Sequence, residues 1–408
     1  MAFDAKIIRR DFPIFQQPEN KDWIYLDSAA TSQKPQAVLA AMTDCYSHHN
    51  ANPHRSSYAM AERATAEYEK ARERVRRFIN AASFEEIVFT RNTTESINLV
   101  AVGWASKFLQ ADDEILISEM EHHSNLVPWQ MVCQRTGAQL KYIEFDEQGR
   151  LRLDQFHQLL NQRTRLVAVG HVSNSLGTIH PVAEIIRLAH DVGSRVLIDA
   201  AQSAPHRRLD VQNLAADFVA FSGHKMLAPS GIGVLYGRQE LLAEMDPMLF
   251  GGSMIGRVDY HHTTWNDLPW KFEAGTQDLA GVIGLAAAMD YLDHVGLEAI
   301  EAHDQQLTQL AMNQLAQIPG IRVYGPPDQH GPAVSFNLET IHPHDLATFL
   351  DQKGIAIRSG HHCTQLVMKK LNVAATARAS FYLYNDEADV QRLIEGLHQA
   401  KDYFKKWL

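Results

Sequence analysis

Cysteine is scarce in this chain of 408 residues: Cys45, Cys133 and Cys363 stand far apart. That spacing excludes a disulfide framework and a paired-cysteine zinc site. Long apolar runs are missing too. No stretch reaches the roughly 18 consecutive apolar residues of a membrane-spanning helix, so no membrane association is expected. The opening residues, Met1-Ala2-Phe3-Asp4-Ala5-Lys6, lack a basic segment followed by an apolar one. No signal peptide is read there, and a cytoplasmic location is expected. Positive charge is in deficit. The formal net charge is −10 and no basic stripe interrupts it, which argues against nucleic acid as a partner. Repeats and low-complexity segments are also absent.

What is present suits a large globular protein. Hydrophobic residues make up 45% of the chain, and the length fits about two or three domains. Histidines number 21 and pair up as His48-His49, His122-His123, His261-His262 and His361-His362. No H-E-x-x-H helix motif accompanies them, so no metal is expected. Near the N-terminus a short helix and an extended Asp11-Phe12-Pro13-Ile14-Phe15 segment are predicted, then helices over 36–48 and 58–79. From residue 85 onward, β-branched runs alternate with helical stretches. Strands are predicted at 86–90, 114–118, 139–144, 165–170, 195–199, 217–221 and 232–236, and a helix at 181–192. This alternation predicts an α/β fold with a mostly parallel, seven-stranded sheet covered on both faces. Beyond 280 a smaller α+β unit is expected. It has a long helical tract broken at Gly296, strands at 332–338, 355–358 and 378–384, and a final helix over 387–408.

In such sheets ligands gather at the carboxyl ends of strands. The run Asp217–Phe221 leads to Ser222-Gly223-His224-Lys225. Taken alone, Lys225 reads as a surface lysine at a strand end. In a pocket it becomes an amine nucleophile toward a carbonyl. Strand 86–90 leads to Arg91-Asn92-Thr93-Thr94-Glu95-Ser96, which is either ordinary capping or a phosphate cradle at a helix start. Asp199 ends strand 195–199 as an N-cap or as the partner of a protonated ring nitrogen. His122 follows strand 114–118 and can stack on a flat ring and shuttle protons. Asn174 follows strand 165–170 and offers an amide to a phenolic oxygen; taken alone, His122 and Asn174 each read as a satisfied polar loop. Together these ends supply the parts that pyridoxal phosphate needs.

The chain resembles the class V aminotransferase fold, and over its length the group II cysteine desulfurases of the SufS type. The motifs are Tyr25-Leu26-Asp27-Ser28-Ala29-Ala30, Asn92-Thr93-Thr94-Glu95, Met120-Glu121-His122-His123, His171-Val172-Ser173-Asn174, Asp199-Ala200-Ala201-Gln202, Phe221-Ser222-Gly223-His224-Lys225, Gly251-Gly252-Ser253-Met254-Ile255, Phe272-Glu273-Ala274-Gly275-Thr276, Arg358-Ser359-Gly360-His361-His362-Cys363 and Arg378-Ala379-Ser380. The resemblance implies a fold-type-I pyridoxal-phosphate enzyme, with segment 1–20 packing on a small domain, 291–408, and a large domain at 21–290. It implies that Lys225 carries the cofactor, His122 stacks on it and Asp199 pairs its ring nitrogen. Gln202 and Asn174 face its phenolic oxygen, and Thr93, Thr94, Ser222 and His224 hold its phosphate. Thr276 reaches the phosphate of a partner subunit, which makes the protein a homodimer. Arg378, with Arg358 and Asn174 nearby, binds the substrate carboxylate.

By the same resemblance Cys363 takes sulfur from L-cysteine as a persulfide, leaving L-alanine, and passes it on for iron–sulfur cluster assembly. Nearby histidines and Arg358 favour its thiolate, whereas Cys45 and Cys133 sit in helical, partly apolar patterns and read as core. L-Selenocysteine is an alternative substrate. Other readings are a plain aminotransferase, a kynureninase-like hydrolase, a selenocysteine lyase and a sulfur relay without catalysis. Thr364-Gln365-Leu366 after Cys363, and Gln277 after Thr276, depart from the family pattern. The segment Ile341-His342-Pro343-His344-Asp345 resembles the branch whose acceptor is a zinc-binding SufU-type protein, with His342 as a docking residue. A SufE-type acceptor is the alternative.

Overall fold

A computed structural model describes residues 3–54, 56–339 and 341–406. The alternating segments form one sheet. Its strands are β1 Ile87–Thr90, β2 Glu114–Ser118, β3 Gln139–Ile143, β4 Thr164–Gly170, β5 Arg195–Asp199, β6 Phe218–Ser222 and β7 Gly233–Gly237. They lie side by side in the order β1-β7-β6-β5-β4-β2-β3. Six run parallel, and β7 is antiparallel to both its neighbours. The reason lies in the link from β6 to β7. It holds only the short turn Gly223–Lys225 and a Pro/Gly-rich loop, and a parallel return needs a longer crossover.

Both faces of the sheet are covered, so successive residues of one strand enter different cores. In β4, Val167 and Val169 join a cluster with Ile198, Phe221 and Val234. Leu166 and Ala168 join the opposite one with Leu197, Phe218 and Leu235. The helices Gln36–His48, Ala59–Phe78 and Leu279–Val295 pack together, and Val38, Val75 and Leu285 of these helices belong to the first cluster.

A hairpin, β8 Ile255–Val258 with β9 Thr263–Trp265, follows. A second, antiparallel sheet then forms from β10 Ile321–Tyr324, β11 Ala333–Leu338, β12 Arg358–Gly360 and β13 Thr376–Ser380, in the order β10-β11-β13-β12. Leu307, Leu346 and Leu393, from helices Leu297–Leu315, Pro343–Asp351 and Glu387–Phe404, share its core. Gly296, at φ +94°, separates Leu279–Val295 from Leu297–Leu315, where a side chain would be strained.

Several expectations need correction. Asp11–Phe15 is not one extended segment: Asp11 ends one 3-10 turn, Arg9–Asp11, and Pro13 opens a second, Pro13–Gln16, with only Phe12 extended between them, because Pro13 suits a first helical position. The run 355–358 divides: Ile355–Ala356 pairs with Ile24–Tyr25, and Arg358 starts β12. The strand at 378–384 stops at Ser380, since the Asn385 side chain takes the Tyr382 N–H at 3.0 Å and turns the chain. The last helix ends at Phe404; residues 407 and 408 lie outside the described residues.

One close approach ties the fold to the site. A Cβ on Gly233 would lie 2.6 Å from the Cα of Asn92, so β7 needs glycine beside the turn into helix Thr93–Val100. Gly233→Ala is expected to cost about 1–3 kcal/mol of stability, as overpacking does, and to weaken cofactor retention. Chemical denaturation and visible absorbance check both.

Candidate active site

The carboxyl ends of β1, β2, β4, β5 and β6 open into one cavity of about 240 Å³. At the end of β1, Asn92 caps the helix, its side chain accepting from Glu95 N–H at 3.0 Å. Thr93 N–H donates to Ser222 Oγ at 2.8 Å, and their hydroxyls lie 2.6 Å apart. Thr94 and Ser124 hydroxyls pair at 2.7 Å. His224, on the turn after β6, places Nδ1 3.2 Å from Thr31 Oγ1. Thr93, Thr94, Ser222 and His224 all line the cavity. They form a small, hydroxyl-rich hollow at a helix start, a setting that suits an anion.

Asp199, at the end of β5, accepts from Ala201 N–H at 2.9 Å. Burial raises its carboxyl, while Ala201 N–H and the Lys225 ammonium oppose the rise. The Gln202 amide donates to Ala29 O at 2.8 Å and the Asn174 amide to His362 O at 2.7 Å. His122 Nδ1 accepts from Ser124 N–H at 3.1 Å, which places the ring proton on Nε2. Burial, then the Lys225 charge, holds the imidazole neutral with a pKa of about 3. Lys225 lines the same cavity. Burial pulls its amine down to about 8, against the pull of Asp199 and with help from Arg378 and Arg358.

The second sheet supplies the facing wall. Arg378 donates from Nη1 to Asn174 O and from Nη2 to Asp27 Oδ1, each at 2.9 Å. Its buried Nε has no hydrogen-bond partner among the described residues. Arg358 and His362 also line the cavity; Cys363 does not. Cys363 sits half-buried just behind, in a left-handed stretch where His362 has φ +52° and Cys363 has φ +58°. Non-glycine residues there are strained. Two bonds hold the loop to strand ends of the first sheet: His123 N–H to Cys363 O at 2.8 Å, and Asn174 to His362 O. Lys225 and Arg378 lie near enough to Cys363 to feel it, and it offsets a little of the lowering that burial imposes on both.

Two expected residues lie elsewhere. Thr276 is exposed and lines a separate hollow with Tyr46 and Asn50. His342 is exposed at the start of helix Pro343–Asp351, its Nδ1 accepting from His344 N–H at 3.2 Å. Two site residues escaped sequence reasoning, although both stood in quoted motifs. Asp27 fixes Arg378. Glu121 accepts from the Ser118 hydroxyl, from Asn125 at 2.6 Å and from Gly170 N–H at 2.9 Å. It thereby ties the ends of β2 and β4 together beside His122, and burial pushes its carboxyl up to about 7. A carboxylate within a turn of an apolar strand's end was the available signal.

These residues fit pyridoxal phosphate. Asp199 is a buried carboxylate that forms no ion pair among the described residues, and a protonated ring nitrogen would complete it. The hydroxyl site would take a phosphate, and the Lys225 amine an aldehyde. Among the described residues no group of three His, Cys, Asp or Glu could hold a metal, and no helix is long and apolar enough to cross a membrane.

Known proteins agree with this reading of the fold. The aminotransferase class-V model matches residues 24–393, and the chain belongs to that family of enzymes. Within it, the chain is similar along its whole length to cysteine desulfurases. It is 51% identical to a probable cysteine desulfurase of Halalkalibacterium halodurans, over 98% of this chain and 99% of that protein. It superposes on the Escherichia coli cysteine desulfurase CsdA, in an S-sulfonic acid form, with a TM-score of 0.92 at 43% identity, covering 99% and 100% of the two chains. An apo cysteine desulfurase of Thermococcus onnurineus NA1 gives a TM-score of 0.93 at 41% identity, covering 98% of each.

With Lys225 near 8, its neutral fraction rises with pH and levels off above that point. Capture of pyridoxal phosphate by the cofactor-free protein is therefore expected to speed up about tenfold from pH 7 and then reach a plateau. Stopped-flow absorbance reads it. A rate still climbing at about pH 10 would return the amine to the ordinary lysine range.

Proposed function

We propose that the chain is a pyridoxal-phosphate-dependent cysteine desulfurase that converts L-cysteine to L-alanine and leaves the sulfur on Cys363. One observation carries this reading. The strained Cys363 loop is bonded to the same two strand-end loops that bear His122 and Asn174, which sets a thiol beside a cavity built around a half-buried amine. Neither an aminotransferase nor a hydrolase needs that thiol.

In this reading Arg378 Nε–H and Arg358 hold the substrate carboxylate, a geometry suited to the guanidinium fork. Lys225, as a free amine, takes the Cα proton. Bound pyridoxal phosphate supplies an electron sink at that carbon. The Cys363 thiolate attacks the substrate sulfur; the new S–S bond forms as the Cβ–S bond breaks. The electron pair released stays with the substrate carbon skeleton, and Cβ takes up a proton relayed by His122. Glu121 fixes the loop that bears His122.

The persulfide then passes to an acceptor for iron–sulfur cluster assembly. We read that acceptor as a SufU type, supported by His342: its Nδ1 is occupied by His344 N–H, which leaves Nε2 for a partner's metal. Thr276, exposed and away from the chain's own phosphate site, suits the homodimer in which it serves the partner's phosphate. Residues 21–290 and 291–408 are read as the large and small units.

Two experiments test this. Lys225→Ala is expected to lower alanine formation from L-cysteine by about 10²–10⁴-fold, the usual worth of a positioned base. Cys363→Ser is expected to abolish sulfide release in the presence of a reductant. Sulfide release by Cys363→Ser at the wild-type rate would sink the assignment. For docking, His342→Ala is expected to remove stimulation by a SufU-type acceptor and spare the acceptor-free reaction; unchanged stimulation would remove His342 from that role.

A further inference from the structure

The carbonyl of His224, one peptide before Lys225, is crowded with donors. Ser32 N–H reaches it at 3.0 Å, the Thr31 hydroxyl at 3.0 Å, the Ser32 hydroxyl at 3.1 Å and the Lys34 ammonium at 2.9 Å. A carbonyl oxygen offers two lone pairs, so this one is oversubscribed. Ser32 Oγ also accepts from Leu227 N–H at 2.8 Å. The segment Thr31–Lys34 thus grips the chain on both sides of Lys225. It is itself anchored, since Tyr25 OH donates to Thr31 O at 2.7 Å and Gln33 N–H donates to Tyr384 OH at 3.3 Å.

Lys34 is the one charged member of this grip. Its ammonium also donates to Ser32 O at 2.6 Å, and no carboxylate pairs with it among the described residues. A half-buried cation satisfied by carbonyls alone is costly to keep. Burial lowers it to about 8, and its charge in turn helps to keep His224 neutral.

We infer that Lys34 is a positioning residue for Lys225, its ammonium fixing the peptide plane that aims the Lys225 side chain into the cavity. Charge-assisted bonds are roughly twice as strong as neutral ones, so the three neutral donors do not replace it. The inference rests on Lys225 being the reactive amine proposed above.

The test uses the full-length protein without cofactor. Acetylation of Lys225 by acetic anhydride, read by peptide mass spectrometry across pH, reports the reactivity of its amine without any need for desulfurase activity. In Lys34→Met the midpoint of that profile is expected to move up by about one pH unit, a tenfold slower reaction at pH 7. Lys34→Gln, which keeps a donor without the charge, is expected to fall in between. In the loaded enzyme, kcat falls with KM for L-cysteine little changed. A wild-type profile in Lys34→Met overturns the inference; if that variant does not fold, a wild-type profile in Lys34→Gln does so instead. A shifted profile in a series that makes no alanine, wild type included, supports the role of Lys34 and overturns the desulfurase reading.

Discussion

Burial sets the terms for Lys225 and Asp199. Taking an ammonium and a carboxylate out of water disfavours both charges, and each charge relieves part of the other's loss. The Lys225 amine is drawn toward neutrality while the Asp199 carboxyl is pushed up. Such a balance survives only where the groups cannot drift apart or admit bulk water. Asp199 is therefore the last residue of a central strand and Lys225 stands three residues past the next one. Both strands are buried throughout or nearly so, covered on both faces by apolar side chains.

The second sheet closes this arrangement from the other side. β12 and β13 pair directly, with Arg358 in register with Arg378. Two guanidinium groups would repel each other there, and Asp27 partly offsets that by pairing with Arg378. Asp27 also begins a stretch of chain that serves much of the site. Ala29 takes the Gln202 amide, and Ala29 N–H bonds Ser380 Oγ. Thr31, Ser32 and Lys34 converge on His224. A short segment thus couples the aromatic end of the chain, through Tyr384, to the turn that presents the amine.

The parts legible in the sequence were those with a local signature. β-Branched runs ended by polar residues marked nearly every strand of the first sheet, and the residues after them form the cavity. The mostly parallel sheet was legible; the direction of β7 was not legible in its own run, because it depends on the length of one loop. Asp11–Phe15 misled because its apolar run belongs to packed turns. The partners of Asp27 and Lys34 were missed for another reason. Asp27 meets Arg378 across 351 positions and Lys34 meets His224 across 190, and nothing local in their neighbourhoods announces such partners. Cys363 was legible as a loop thiol, but its fixing by His123 and Asn174 appears only once the two sheets face each other.

The account stands on the proposed pairing of Lys225 with Cys363, a half-buried amine and a thiol on a strained loop. Its most direct test is intact and peptide mass spectrometry of the holoenzyme after exposure to L-cysteine with neither acceptor nor reductant, with L-alanine counted in parallel. The account predicts one additional sulfur atom on the peptide that contains Cys363 and one L-alanine for each. Alanine formed with no sulfur on that peptide, or with the sulfur on Cys45 or Cys133, would contradict it.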